Sequence, residues 1–189
     1  MRDPGSAERA GYTVTVYGSG EPSPEVLELA FELGRGIARR GWILRNGGYG
    51  GTMEAAARGA REEDGRVVGV TCRAFGRPGP NRYLSETIET ATLLERLSAL
   101  VEEADAFAAL PGGTGTLTEV FLTWELMGKG LLPPRTLCLV GRAWDPWWGL
   151  FAADPQLAPR LSLLCRSADA AEALERLAPP VAAGSRRSR

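Results

Sequence analysis

The 189-residue chain contains no histidine, and it has one lysine, Lys129, among 22 basic residues. Without histidine, Ser-His and Cys-His nucleophilic catalysis is excluded, and so is most zinc chemistry. A Schiff-base enzyme would have to depend on Lys129 alone. Cysteine is sparse: Cys72, Cys138 and Cys165 sit in or beside apolar runs. An odd count without close spacing argues against a disulfide framework or a zinc site and for buried structural thiols. Charge of one sign is lacking too. The net charge is −1, so no global field draws in nucleic acid, and the basic stretch Ser185–Arg189 is too short to line a groove. No run approaches the ~18 apolar residues of a membrane span. Residues Met1–Gly11 hold no apolar segment fit for a secretion signal, which places the protein in the cytoplasm with no membrane partner. Carboxylates, arginine, hydroxyls and backbone dipoles are what is left for catalysis.

What is present is an alternation of short β-branched runs with helical patterns. It predicts an α/β, doubly wound, mainly parallel sheet with helices on both faces. Strands are expected near Tyr12–Tyr17, Trp42–Arg45, Arg66–Thr71, Glu86–Glu89, Asp105–Leu110, Thr136–Val140 and Leu161–Cys165. The first helix is capped by Ser23 with Pro24 at its first position, and Val26, Leu29, Ala30, Leu33 and Ile37 form its apolar stripe. Further helices are expected over Thr52–Glu63, Thr92–Ala104, Thr116–Met127, a short piece opened by Trp144–Trp148, and Ala168–Leu177. Arg73–Tyr83, rich in Gly, Pro and Arg, reads as a loop. No internal repeat or long linker divides residues 12–178, so one domain is expected there, between a flexible N-terminus (1–11) and a disordered tail (179–189).

Two glycine-rich loops each follow a strand and precede a helix: Asn46-Gly47-Gly48-Tyr49-Gly50-Gly51 before Thr52, and Pro111-Gly112-Gly113-Thr114-Gly115-Thr116. Glycine lets a backbone approach a ligand closely, and a helix N-terminus presents unpaired N–H groups with partial positive charge. Together they make an anion site, and in an open parallel sheet such loops converge beyond the carboxyl ends of the strands. The alternative is that the glycines only turn the chain. Neither GxxxxGK[ST] nor GxGxxG is present, which favours a mononucleotide over a dinucleotide.

Glu119 lies three residues after Thr116, the spacing of a capping box, so capping is one reading of it. On a helix, Leu117, Val120, Phe121 and Trp124 form one face and Glu119, Leu122, Thr123 and Leu126 a second. A helix apolar on two sides is enclosed on two sides, which places Glu119 in a pocket at a homodimer interface as the other reading. Arg96 lies at the edge of the stripe Leu93, Leu97, Leu100, Val101 and Ala104, where a solvated, snorkelling arginine is the plain expectation. Tyr49, Met53 and the Arg73–Tyr83 loop are candidates to line a base pocket.

The stretch Pro111-Gly112-Gly113-Thr114-Gly115-Thr116-Leu117-Thr118-Glu119 resembles the PGGxGTxxE signature of the LOG ("lonely guy") family. Glu95-Arg96 and Ala104–Leu110 lead into it at the family's spacing, and Gly47–Met53 is similar to its other glycine motif. The resemblance covers roughly residues 12–178. It implies a seven-stranded Rossmann-like fold, usually a homodimer. It implies a phosphoribohydrolase that splits AMP or an N6-substituted, cytokinin-type AMP into free base and ribose 5-phosphate, with no metal or cofactor. Carried over by motif, Glu119 is the catalytic carboxylate and Arg96 the catalytic arginine. Gly112, Gly113, Thr114, Gly115 and Thr116 would hold the phosphate, with Ser19, Gly48, Gly50, Gly51 and Thr52 as further nucleotide contacts. The scarcity of lysine argues against the lysine decarboxylase label such proteins have carried. Three features depart from the pattern: Leu97 where lysine is common, Thr52-Met53-Glu54 where Leu-Met-Gly is commoner, and a short segment between Trp148 and Leu161. They also resemble a related branch proposed to carry nucleotides or molybdenum cofactor without hydrolysis, which is the alternative function. DNA binding, by analogy with DNA-processing relatives of the fold, comes third.

Overall fold

The structure, a computed structural model, describes residues 11–76 and 79–179. The expected flexible residues 1–10 and the tail beyond 179 lie outside the described residues. Seven strands, β1 (Thr13–Tyr17), β2 (Ile43–Asn46), β3 (Val67–Cys72), β4 (Glu86–Thr90), β5 (Ala106–Ala109), β6 (Thr136–Val140) and β7 (Leu164–Ser167), form one sheet in the order β4-β3-β2-β1-β5-β6-β7. Every pairing is parallel. A parallel sheet is covered on both sides, so its inner strands carry side chains that must be buried in both directions. β1, β2, β3 and β5 are buried at every position.

The residue parity of each strand decides which helices it meets. Val14, Val16, Leu44, Val67, Ala106, Ala108, Cys138 and Val140 pack under α1 (Pro24–Arg39), α2 (Thr52–Glu62) and α6 (Ala170–Leu177). Tyr17, Val70, Phe107, Ala109, Leu137, Leu139 and Leu164 pack under α3 (Leu93–Glu102), α4 (Thr114–Gly128) and α5 (Asp145–Ala153). The chain winds from β1 towards β4 on one side and from β5 towards β7 on the other. The switch point therefore lies between β1 and β5, where a crevice opens at the carboxyl ends of the strands.

Several boundaries differ from the expectations. The last strand is Leu164–Ser167, not Leu161–Cys165. Residues Ala158–Leu163, with Pro159 near their start, wind as a 3-10 helix, and Leu161 and Leu163 pack against the α4 side of the core. Pro159 has no N–H to give a ladder, so the apolar run is shared between two structures. Ser23 occupies the position before α1, but its side chain makes no cap bond; its carbonyl accepts from the amides of Val26 and Leu27. The last helix begins at Ala170 rather than Ala168, because Asp169 accepts from the Glu172 amide and caps it there.

α4 begins two residues earlier than expected, at Thr114, with Gly113 as its cap residue. Thr116 and Glu119 therefore both lie inside the helix, buried, and the capping box between them does not form. A capping box does form at α3, between Thr92 and Glu95, and it fixes the turn that carries Arg96.

Candidate active site

Three loops leave the carboxyl ends of β1, β2 and β5 and meet at the switch point. They enclose a cavity of about 320 Å³ lined by Tyr17, Ser19, Tyr49, Phe75, Arg96 and Glu119, among others. That volume is at the lower end of the range for small-molecule sites.

Arg96 is not the solvated residue its sequence position suggests: it is 6% exposed. The capped first turn of α3 aims it inward. Its Nε donates to the Val70 carbonyl at 2.8 Å, and its Nη1 donates to Glu119 Oε1 at 3.2 Å. Room for the guanidinium is made by Gly47, where a Cβ would lie 2.0 Å from Arg96 Nη2. Glu119 is 7% exposed. Burial pushes its carboxyl up to about 7, against the opposing charge and hydrogen bond of Arg96. An unfolded chain would hold this proton near 4.5. The folded state therefore binds the extra proton between those values, and this group withdraws stability as pH rises through that window.

Below the pair, the Tyr17 and Thr123 hydroxyls are 2.9 Å apart, and Thr123 donates to the Glu119 carbonyl at 2.8 Å. Burial raises the Tyr17 phenol well above its ordinary range, so it stays neutral. Thr123 and Glu119 thus face the sheet. Leu122 and Leu126 on the same expected face are half-buried and pack at the margin of the core.

The two glycine loops play different parts. Thr114, Gly115 and Thr116 form the first turn of α4, whose amides have no partner within the helix, and that turn carries no acidic residue. Gly113, Thr114, Gly115 and Thr116 line the cavity, and Gly112 lies where a Cβ would strike Thr116 Oγ1 at 2.2 Å. The Ser19 hydroxyl accepts from the Glu21 amide at 3.0 Å, which leaves its own proton for a ligand. In the other loop, the Thr52 amide and hydroxyl both donate to the Ser19 carbonyl, at 2.9 and 3.0 Å. The Gly48 amide donates to Asn46 Oδ1 at 2.8 Å. Gly51 takes φ +67°, and a Cβ there would lie 2.3 Å from the Ser19 carbonyl oxygen. Glu54 already complements the first turn of α2. This loop therefore braces the β1 loop. Of its members Gly47 and Tyr49 reach the cavity, while Gly50 borders a neighbouring one with Glu21 and Glu54.

The cavity also includes residues that the sequence did not single out as site residues. Phe75, Tyr17 and Leu97 line it, and Leu93, expected in the buried stripe, is 44% exposed at its rim. Asn81 ties the Arg73–Tyr83 loop to the glycine loop, its Nδ2 donating to the Gly48 and Tyr49 carbonyls at 3.1 and 2.9 Å. A single phenylalanine in a Gly-, Pro- and Arg-rich loop is the signal that points to Phe75.

With this geometry in hand, a profile of the SLOG cluster4 family matches residues 11–131. The chain belongs to this family. Within it, the chain is similar to the cytokinin riboside 5′-monophosphate phosphoribohydrolase of Mycobacterium marinum, 37% identical over 145 residues, 75% of each chain. It is similar to the protein of that name from Mycobacterium tuberculosis, 42% identical over 116 residues, 60% of this chain and 62% of that one. Among solved structures this SLOG protein resembles the molybdenum cofactor binding protein from the phototrophic bacterium Rippkaea orientalis. That match has a TM-score of 0.74 and 26% identity, covering 87% of this chain and 94% of the other. DNA processing protein A from Helicobacter pylori, at 11% identity and TM-score 0.62 over 88% and 80% of the two chains, shares the fold alone.

Proposed function

We propose that this SLOG cluster4 protein hydrolyses the N-glycosidic bond of a nucleoside 5′-monophosphate, AMP or an N6-substituted AMP, to free base and ribose 5-phosphate. One observation carries the reading: a buried carboxylate, Glu119, held by Arg96 in a cavity that the open N-terminus of α4 also lines. The relatives' printed names support it. The phosphate would sit on the amides of Gly113–Thr116 and the hydroxyls of Ser19 and Thr116. Breaking the bond develops positive charge at C1′, which the Glu119 carboxylate stabilises. A water adds to C1′ and passes its proton to Glu119, while the electron pair of the C–N bond leaves with the base; the base takes up a proton from solvent as Glu119 releases its own, which restores the carboxylate. Arg96 orients the carboxylate and opposes the upward push of burial on it.

The deciding experiment is release of ribose 5-phosphate from AMP and from N6-isopentenyl-AMP by the purified protein. Release establishes the hydrolase and shows whether the N6 group matters. AMP binding without release favours the carrier reading, which the likeness to the Rippkaea orientalis protein supports. The carboxylate must be charged to act, so kcat/KM for AMP is expected to rise about tenfold per pH unit below about 7 and to level off above it. A flat profile between about pH 5 and 8 would remove Glu119 from that role.

A homodimer and a cytoplasmic location belong to the same proposal. Leu94 on α3 and Leu131 after α4 are largely exposed, as an apolar interface requires, and sedimentation at micromolar concentration tests it. Cys72, Cys138 and Cys165 are free thiols, which suits a reducing compartment. No described helix is long and apolar enough to cross a membrane.

A further inference from the structure

Two of the three thiols are neighbours. β6 and β7 run in parallel, and Cys138 and Cys165 are directly opposed across them. Both side chains lie on the α6 side of the sheet: Cys138 is in that core and Cys165 packs against it. Adjacent strands lie ~4.8 Å apart, and a disulfide spans α-carbons ~4.4–6.8 Å apart, so the register suits a covalent link. Cys138 Sγ also donates to Ser167 Oγ at 3.5 Å, two residues on along the same face of β7. β7 is an edge strand of four residues with β6 as its one neighbour, so a small shift that brings the sulfurs together is resisted on one side only.

The two sulfurs differ in access. Cys138 is fully buried. Cys165 is half-buried and lines a cavity with Arg142, Trp148, Arg166, Ser167 and Arg176, which shares no residue with the Glu119 cavity. The Cys138 thiol is held below its ordinary range by the hydrogen bond from Cys165, against burial, with Ser167 and the charge of Arg176 helping. A thiolate, not a thiol, is the reactive form. Cys72 has none of this. Its register partner on β4 is Thr90, and its Sγ faces the Ala91 carbonyl at 3.9 Å.

We infer that Cys138 and Cys165 form a redox-active dithiol, which a hydroperoxide converts to an intramolecular disulfide joining β6 to β7. Cys165, the sulfur that borders the cavity, attacks a peroxide oxygen. The O–O bond breaks, and the departing hydroxide takes the thiol proton and leaves as water. Cys165 then carries an S–OH group. The Cys138 sulfur attacks the Cys165 sulfur, the S–O bond breaks, and hydroxide leaves with the Cys138 proton as a second water. Two thiols and one hydrogen peroxide give one disulfide and two waters, with two electrons passed from sulfur to oxygen. The sequence reading of buried structural thiols then holds for Cys72 alone. The inference stands apart from the nucleotide reading of the Glu119 cavity.

Trypsin places each cysteine on its own peptide, 67–73, 136–142 and 161–166, so the test is a peptide map. The folded protein is treated with hydrogen peroxide, its remaining thiols are alkylated in denaturant, and the digest is weighed. The expected product is 136–142 joined to 161–166, lighter by two hydrogens than the separate thiol peptides and parted by dithiothreitol. Peptide 67–73 is expected to stay alkylated throughout. Cys72→Ser should leave the link intact, and Cys138→Ser should abolish it and leave on Cys165 a sulfenic acid that dimedone labels. Full alkylation of 136–142 and 161–166 after excess peroxide would show inert thiols and overturn the inference. A link through Cys72, a link only between two chains, or a link that forms only in denaturant would overturn it as well. The wild-type map decides by itself, so no variant has to fold for the result to count.

Discussion

Glu119→Gln is expected to lower kcat for AMP by about 10³-fold or more while AMP binding stays within a few-fold. Glutamine keeps the shape of the side chain and an oxygen to accept from Arg96, so the geometry at 3.2 Å has no cause to change. What goes is the negative charge beside the developing positive ribose, and the acceptor for the water's proton. Both matter more in the transition state than in the ground state, so the loss falls on kcat and not on affinity. In a buried site no bulk water screens that charge, which is why a single carboxylate is asked for so much. Stopped-assay release of ribose 5-phosphate, with AMP affinity measured by calorimetry, reads both numbers. A variant that keeps a tenth of the wild-type rate would remove the carboxylate from the chemistry.

The second large effect is on Arg96. Arg96→Met removes the cation from a carboxylate that burial already pushes towards neutrality. Taking one partner from a buried pair costs about 3–5 kcal/mol when the other is forced to stay charged. Glu119 escapes part of that cost by taking up a proton. The stability loss is therefore expected to be largest above pH 7 and to shrink as pH falls. Activity at pH 7 falls with it, because the neutral acid cannot stabilise the ribosyl cation. The double variant Arg96→Met/Glu119→Gln separates the two effects: thermal unfolding returns towards wild type and turnover does not. An equal stability loss relative to wild type at pH 6 and pH 9 would show that the carboxylate's charge does not depend on Arg96.

Much of this site was legible in local sequence because it is built from loop–helix junctions. The glycines of Pro111–Thr116 and the helix after them mark a candidate anion site from composition and position alone, since both the conformational freedom and the N-terminal amides are local properties. Glu119 as a catalytic carboxylate is what the motif resemblance implies; its spacing from that loop alone offers a capping box. Its capping reading failed for a local reason as well: Gly113 starts the helix two residues early, which moves Thr116 from the cap into the first turn. Arg96 could not be read locally. Its burial depends on β3 supplying the Val70 carbonyl and on Gly47 from another loop leaving space, and no helix pattern records either. The Arg73–Tyr83 loop is a candidate in the sequence, but the place of its Phe75 over Arg96 follows from bonds made by Tyr49 and Asn81 across the loops.

The sequence by itself determined the parallel α/β sheet, the two glycine loops and the exclusion of histidine chemistry. The strand alternation, the glycine placements and the absence of histidine are each complete statements within short stretches of chain. Tertiary structure decided how the two helix starts differ. Glu54 and the Thr52–Ser19 bonds occupy the start of α2, while nothing acidic closes the first turn of α4. It also decided that Glu119 and Arg96 form one buried pair. Ion pairing between residues 23 apart requires the sheet to bring two helices over the same strand ends, and only packing settles that.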